Sequence, residues 1–108
     1  MANVTVKDNS ASVKAQYDAA KKRSLEIIGL TAEGYAKKAC PVDTGRLRNS
    51  ITHETDDNAA YIGTNVEYAP HVEFGTLHQQ AQPYLRPAAT EHASTYKSII
   101  NAEFAKIK

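Results

Sequence analysis

Cys40-Pro41-Val42-Asp43-Thr44-Gly45-Arg46-Leu47-Arg48-Asn49-Ser50-Ile51 divides the chain into two chemically different halves. Pro41 has no backbone N–H and disfavours the α conformation at Cys40, so a helix running into it has to stop. Asp43 and Thr44 carry short polar side chains that bond nearby backbone, and Gly45 is free to take positive φ, which together predict a tight turn. Leu47 and Ile51 then fall on one face, whether the chain goes on as a helical turn (spacing four) or as a strand (even spacing). The stretch predicts a helix stop, a turn and a return of the chain to the core. It names no function.

Working backwards from Cys40, Val13, Tyr17, Ala20, Ser24, Ile27/Ile28, Thr31, Tyr35 and Ala39 recur at threes and fours, the stripe of an amphipathic helix. Continuous to Ala39, it spans roughly 40 Å. Asp8-Asn9-Ser10 offers three candidate N-caps. Gly29 and Gly34 each cost about 1 kcal/mol relative to Ala inside a helix, so they mark either a bend or a close approach of another backbone. Val4 and Val6 alternate with polar residues, predicting a short strand over residues 3–7.

Working forwards, Ser50 to Thr55 alternates, Asp56-Asp57-Asn58 reads as a turn, and Ala60 to Thr64 is apolar enough to return: a β-hairpin. Asn65 to Tyr68 is strand or its exit. Ala69-Pro70 opens a short helix that Gly75 stops. Val72 and Phe74 read as core or interface residues. Thr76 to Gln82 is polar, with no helical or strand period, and reads as a surface loop that a partner can order. Pro83 and Pro87 bracket Tyr84-Leu85-Arg86, predicted extended. Pro87 starts a last helix with Ala89, Ala93, Tyr96, Ile99/Ile100, Phe104 and Ile107 as its apolar stripe. The layout is α+β: a long N-terminal helix and a C-terminal helix packed on a small antiparallel sheet, one domain over residues 1–108.

A chain of 108 residues, 42% hydrophobic and 23% charged, is globular in composition and large enough for one modest core. No run is long enough to span a membrane, and no signal-peptide segment is visible. One cysteine excludes an internal disulfide and fits a reducing compartment. A net charge of +1 is too low for a dedicated nucleic-acid binder. Its distribution is uneven: residues 1–48 carry nine Lys/Arg and five Asp/Glu (+4), and residues 49–108 carry four and seven (−3). Opposite halves of this kind favour head-to-tail association of identical subunits, although a solvated surface can also be uneven by chance.

No catalytic constellation assembles. Nothing in the sequence puts a histidine beside Cys40, which reads as a buried thiol at a helix end. His53, His71, His78 and His92 have no paired ligand spacing, so no metal site and no cofactor are expected. Asp43 lies in an Asp-Thr-Gly triplet, yet a helix and not a strand precedes it, which favours a turn-stabilising role over aspartic-protease chemistry. Glu54 with Asp56-Asp57 lacks a cation-ligand pattern. Lys21, Lys22, Arg23, Arg46 and Arg48 could form a small DNA-binding module on a basic helix face, the alternative to an assembly role.

Four blocks carry a family resemblance in order along the chain. They are Pro41 to Ile51 as quoted, Ile62-Gly63-Thr64-Asn65-Val66-Glu67-Tyr68-Ala69-Pro70, Val72-Glu73-Phe74-Gly75-Thr76, and Pro83-Tyr84-Leu85-Arg86-Pro87-Ala88. Together they resemble the HK97 gene-ten-product-like family, small neck or tail-completion proteins of tailed bacteriophages and prophages. The resemblance implies a non-enzymatic structural virion protein in head–tail joining. Such a protein is assembled in the host bacterial cytoplasm and sits in the neck or tail as an oligomeric ring. Its implied partners are further copies of itself, neighbouring neck or connector proteins and tail-tube or terminator proteins, with DNA only passing through the lumen and no membrane. On that footing the interaction candidates are Arg46, Arg48 and Arg86, with Glu67 and Glu73 as carboxylate partners, and Phe74, Leu77, Gln79 and Gln80 at the loop. Whether the arginines pair between subunits or within one chain stays open at this point.

Overall fold

Helix α1 (Ser10–Ala39) runs unbroken for 30 residues, about 45 Å at the usual rise, and the rest of the chain folds against it. The computed structural model describes residues 10–41 and 45–107. The expected strand at residues 3–7, the caps Asp8 and Asn9, and the side chains of Asp43 and Thr44 lie outside that range. After the helix stop at Cys40, Gly45 sits at φ +84° and opens α2 (Arg46–Ser50), which settles the helical alternative for Leu47 and Ile51. Strands β1 (Thr52–Thr55) and β2 (Ala60–Gly63) follow, then α3 (Ala69–Phe74), α4 (Leu85–Thr90) and α5 (Ala93–Phe104). The fold is α+β, with α1 touching β1, β2, α2, α4 and α5.

The hairpin is antiparallel in the register Thr52↔Gly63, His53↔Ile62, Glu54↔Tyr61 and Thr55↔Ala60. Asp56 closes its turn: its carboxylate accepts the Asn58 and Ala59 N–H groups at 2.8 and 2.7 Å, an Asx turn built into the backbone. Residues Thr64–Tyr68 are strand exit, not strand. Thr64 Oγ1, which also bonds Ser50 Oγ, accepts the Val66 N–H at 3.1 Å.

The core gathers at the C-terminal third of α1, where Ala36 and Cys40 meet Leu47, Ile51, Val66, Ala69, Val72, Tyr84 and Ala88. The expected stripe on α1 is only partly its buried face. Ala20 and Ser24 are buried, but Val13 and Tyr17 are each 51% exposed, and the remaining buried positions are Gly29, Ala32 and Ala36. At Gly29 the hairpin's His53 packs close to the helix backbone, and Ala36 joins the core cluster, while Tyr17 lies tilted on Phe104 and Tyr35 packs against the core and stacks on His92. Ser24 is satisfied by its own helix, donating to the Ala20 carbonyl at 2.8 Å.

The C-terminal region departs from expectation in two ways. Leu85 and Arg86 are helical, and Pro87 is the third residue of α4 instead of the first of the last helix. The first N–H groups of a helix have no partner within it, so proline there sacrifices no bond. The expected single helix also breaks at Glu91–His92, where His92 leaves helical geometry at φ −120°, ψ 30°. The break lets His92 stack on Tyr35 at 3.5 Å between ring centroids, and it lets the Tyr96 hydroxyl reach the Ala88 carbonyl.

The two helix glycines answer differently to alanine. A Cβ at Gly29 would come within 2.8 Å of His53 Cδ2, whereas one at Gly34 would meet nothing within 4 Å. Gly34→Ala is expected to raise unfolding free energy by about 0.5–1 kcal/mol. Gly29→Ala, despite the same helix-propensity gain, is expected to lose about 1 kcal/mol or more through overpacking. Chemical denaturation followed by circular dichroism checks both, and equal effects at the two sites would contradict the packing described.

Candidate assembly interface

Four of the predicted interaction residues, Glu67, Glu73, Phe74 and Arg86, converge on one groove of about 570 Å³, with Gly63–Val66, Ala69, Pro70 and Leu85 as the remaining lining. The strand exit supplies one wall, α3 the floor and the start of α4 the other wall. Arg46 reaches the rim: its guanidinium donates to both oxygens of Glu67 at 3.2 and 3.0 Å and lies 5.5 Å from the centre of the Tyr68 ring. The Arg46–Glu67 pair is therefore made within one chain. Arg46 and Glu67 are mostly in water at 58% and 71% side-chain exposure, where such a pair adds little stability. Arg48 is exposed on α2, outside the groove.

Beyond Phe74 the chain is more ordered than its composition suggests. Thr76 and Gln79 pair backbone to backbone, with Thr76 N–H donating to the Gln79 carbonyl at 2.9 Å, and Gln82 N–H anchors the far end on the Val72 carbonyl at 2.8 Å. Gly75 makes this possible. It sits at φ +78°, and a Cβ there would fall 2.8 Å from Ala81 N and 2.9 Å from Gln79 O, so only glycine fits. The turn it braces holds Leu77 at its tip, 99% exposed, three residues beyond Phe74, which is 77% exposed. Gln79 and Gln80 are exposed on the same segment. The segment is the exposed loop that the sequence predicts, with a hydrogen-bonded turn at its start.

Glu73 points inward. It is 7% exposed, and its Oε1 accepts the N–H groups of Tyr84 and Leu85 at 3.2 and 2.8 Å. A carboxylate at the start of α4 supplies the acceptor that a local N-cap residue normally provides, and its charge suits the positive end of the helix dipole. The role is intramolecular. A glutamate beside an aromatic in a short helix gives no local hint that it caps a helix eleven residues away, so sequence reasoning had no purchase on it.

A second arrangement went unread in the sequence. His53, on the inward face of β1, is gripped by two carboxylates of α1, with Nδ1 3.1 Å from Glu33 Oε1 and Nε2 2.9 Å from Glu26 Oε1. Thr55 also donates to Glu26 at 3.1 Å. Hydrogen bonding to Glu26 and then Glu33 holds His53 above the ordinary imidazole range, and the same bonds hold both carboxylates below theirs. Glu26 and Glu33 are seven apart with Gly29 between them, a same-face spacing that could have flagged the pin had the strand register been known.

Other candidate chemistry is absorbed by the fold. Cys40 is buried, and burial pushes its thiol up, with nearby Arg48 opposing in part. Tyr84 is fully buried, its hydroxyl has no hydrogen-bond partner among the described residues, and burial pushes it up to about 12. The basic face is partly neutralised, since Arg23 lies 3.9 Å from buried Glu103 and Arg46 is held by Glu67, while Lys21 is tied to the uncharged Asn58 amide. Among the described residues no group of three or more His, Cys, Asp or Glu side chains could hold a metal ion. No described helix is long and apolar enough to cross a membrane.

With this geometry in place, comparison with known proteins shows that a family model described as "Bacteriophage HK97-gp10, putative tail-component" fits residues 5–75. The chain belongs to this HK97-gp10-like family. Membership puts it among bacteriophage tail components. The matched span takes in α1, α2, the hairpin and α3 and ends at Gly75, so the Pro83–Ala88 block lies beyond it. No curated protein and no solved structure matches the chain.

Two outcomes follow from the site's electrostatics. Glu73→Ala leaves two N–H groups of the α4 start without their charged acceptor and is expected to lose about 1.5–3 kcal/mol. Glu73→Gln, which keeps an acceptor oxygen, should lose less, and equal losses in urea titrations would remove the capping role. For His53 the folded pKa is raised, so its stabilisation is complete below about pH 6.5 and fades as pH rises through the folded value. That of Glu26 and Glu33 is present above about 4.5 and fades as pH falls through their lowered values. The stability difference between wild type and His53→Gln should therefore shrink between about pH 6 and 9. A difference flat across that range would show that folding does not raise the imidazole pKa.

Proposed function

We propose that the chain is a structural subunit of a tailed-phage or prophage neck, acting in head–tail joining at tail completion as part of an oligomeric ring. Its work is geometric positioning and not turnover of a substrate. The observation that carries the reading is the family match over α1 to α3, ending where the braced Phe74–Leu77 surface begins. A leucine held almost wholly in water on a hydrogen-bonded turn stabilises nothing in the free subunit. In a docked subunit, burying such side chains contributes about 1.5–3 kcal/mol each, and a turn that is already ordered lowers the entropy lost on docking.

A heterologous contact closes into a ring when the rotation per subunit divides a full turn, which demands surfaces fixed relative to each other. The turn at Thr76–Gln79 and the groove wall at α4 meet that demand through backbone hydrogen bonds and the Glu73 cap. On this reading the partners are further copies of the chain, neighbouring neck or connector proteins, and tail-tube or terminator proteins, with DNA passing through the lumen. The site of action is the virion.

Light-scattering mass and negative-stain imaging of the protein, alone and mixed with tails purified from a phage lacking it, test the proposal. The expected result is a ring-shaped density on the head-proximal tail end and recovery of head joining. Tails that bind no protein, or virions that mature normally without it, would refute it. Steeply salt-dependent affinity for duplex DNA in parallel titrations would favour the DNA-binding alternative instead.

A further inference from the structure

Next to the groove, the outer face of the hairpin carries side chains that the neck reading leaves unused. On the outer face of the hairpin, Glu54 and Tyr61 stand directly opposite each other across the two strands, and both are exposed. The shallow cleft that they line shares Gly63, Thr64 and Asn65 with the groove that reaches Phe74 and Arg86. The two depressions form one strip. It carries the Glu54 carboxylate and the Tyr61 ring, whose hydroxyl donates to Asp56, then Gly63, Thr64 and Asn65, and then the Phe74 ring and the Arg86 guanidinium, with the Glu67 carboxylate of the groove already neutralised by Arg46.

Neither terminal charge is used within the chain: among the described residues Glu54 and Arg86 have no side-chain hydrogen bond or ion pair, whereas neighbouring Arg46 is held by Glu67. A strip with an acid at one end, a base at the other and apolar rings between is its own complement when a second copy lies on it antiparallel. The acid of each copy then meets the base of the other, as a two-fold contact requires. A polyanionic partner would pair with Arg86 but be repelled at Glu54, and a polycation would do the reverse, so the charge order selects a second copy.

We infer that this strip is an isologous interface between two copies of the chain. Its two-fold axis lies near Gly63–Asn65, and two Glu54–Arg86 ion pairs flank the Tyr61 and Phe74 rings. The inference needs only the chain itself, and because the strip takes in Phe74 and Arg86 of the groove, a second copy seated on it and a ring contact through Phe74 exclude each other on one subunit.

Sedimentation equilibrium of the full chain at low and moderate salt, with the variants Glu54→Arg, Arg86→Glu and the double reversal, tests it. Wild type is expected to dimerise, each single reversal to weaken the dimer about tenfold or more, and the double reversal to recover most of the loss. Circular dichroism should show all four proteins equally folded, because the reversed charges have no intrachain ion pair. A wild type that is monomeric at every concentration overturns the inference, as does self-association indifferent to both single reversals or a double variant no better than the singles. Rings that assemble unchanged from both single variants, with no dimer in solution, would overturn the strip and leave the neck role standing. Charge-sensitive dimers that fail to dock on tails would do the opposite.

Discussion

Because α1 buries only small side chains, namely Ala20, Ser24, Gly29, Ala32 and Ala36, its neighbours have to supply the bulk of the core. They do so from the second half of the chain: Leu47 and Ile51 from the segment after the helix stop, Val66 and Val72 from around α3, and Tyr84 from the approach to α4. Close approach to a small-residue helix face brings many partner atoms within van der Waals range, which is where a core this modest finds its cohesion. It also places charged side chains of α1 against the hairpin. His53 can sit between Glu26 and Glu33 only because Gly29 leaves room for its ring.

What the sequence made legible was what local backbone chemistry decides. The stop at Cys40, the positive φ of Gly45, the Asp56 turn and the short helix between Ala69 and Gly75 all follow from residues acting on their own neighbours. The large residues on α1 misled, because periodicity marks a face as apolar without saying which partner comes closest. Tyr17 satisfies the period yet is half exposed and leans on Phe104, whereas Tyr35 packs against the core while stacking on His92, and it is Gly29 that takes the hairpin's His53. Leu85 and Arg86 misled for the complementary reason. A preference against helix before proline is weak, and a carboxylate from α3 that accepts the first N–H groups of α4 outweighs it.

The candidate surface was legible in membership more than in role. Glu67, Glu73, Phe74 and Arg86, chosen from scattered positions, line one groove, but each has a different status within it. Glu67 is tied to Arg46, Glu73 is structural, and only Phe74 and Arg86 remain open to a partner. Distinguishing these needed the side-chain geometry, since an arginine and a glutamate twenty-one residues apart read the same whether they pair within or between chains.

The segment Val72-Glu73-Phe74 inverts the usual order of burial: its carboxylate is inside and its aromatic ring is in water. Helix geometry couples the two facts, since residues one apart on a helix point about 100° from each other. With Glu73 turned toward the N-terminus of α4, Phe74 is carried outward, and Gly75 then turns the chain so that Leu77 projects as well. Reversing the arrangement to bury the phenylalanine would withdraw the acceptor from Tyr84 and Leu85, loosening the strand–α4 wall that shapes the groove. The exposed ring is therefore the geometric consequence of a cap that the core requires, and any partner that covers Phe74 also rests on the element that fixes α4.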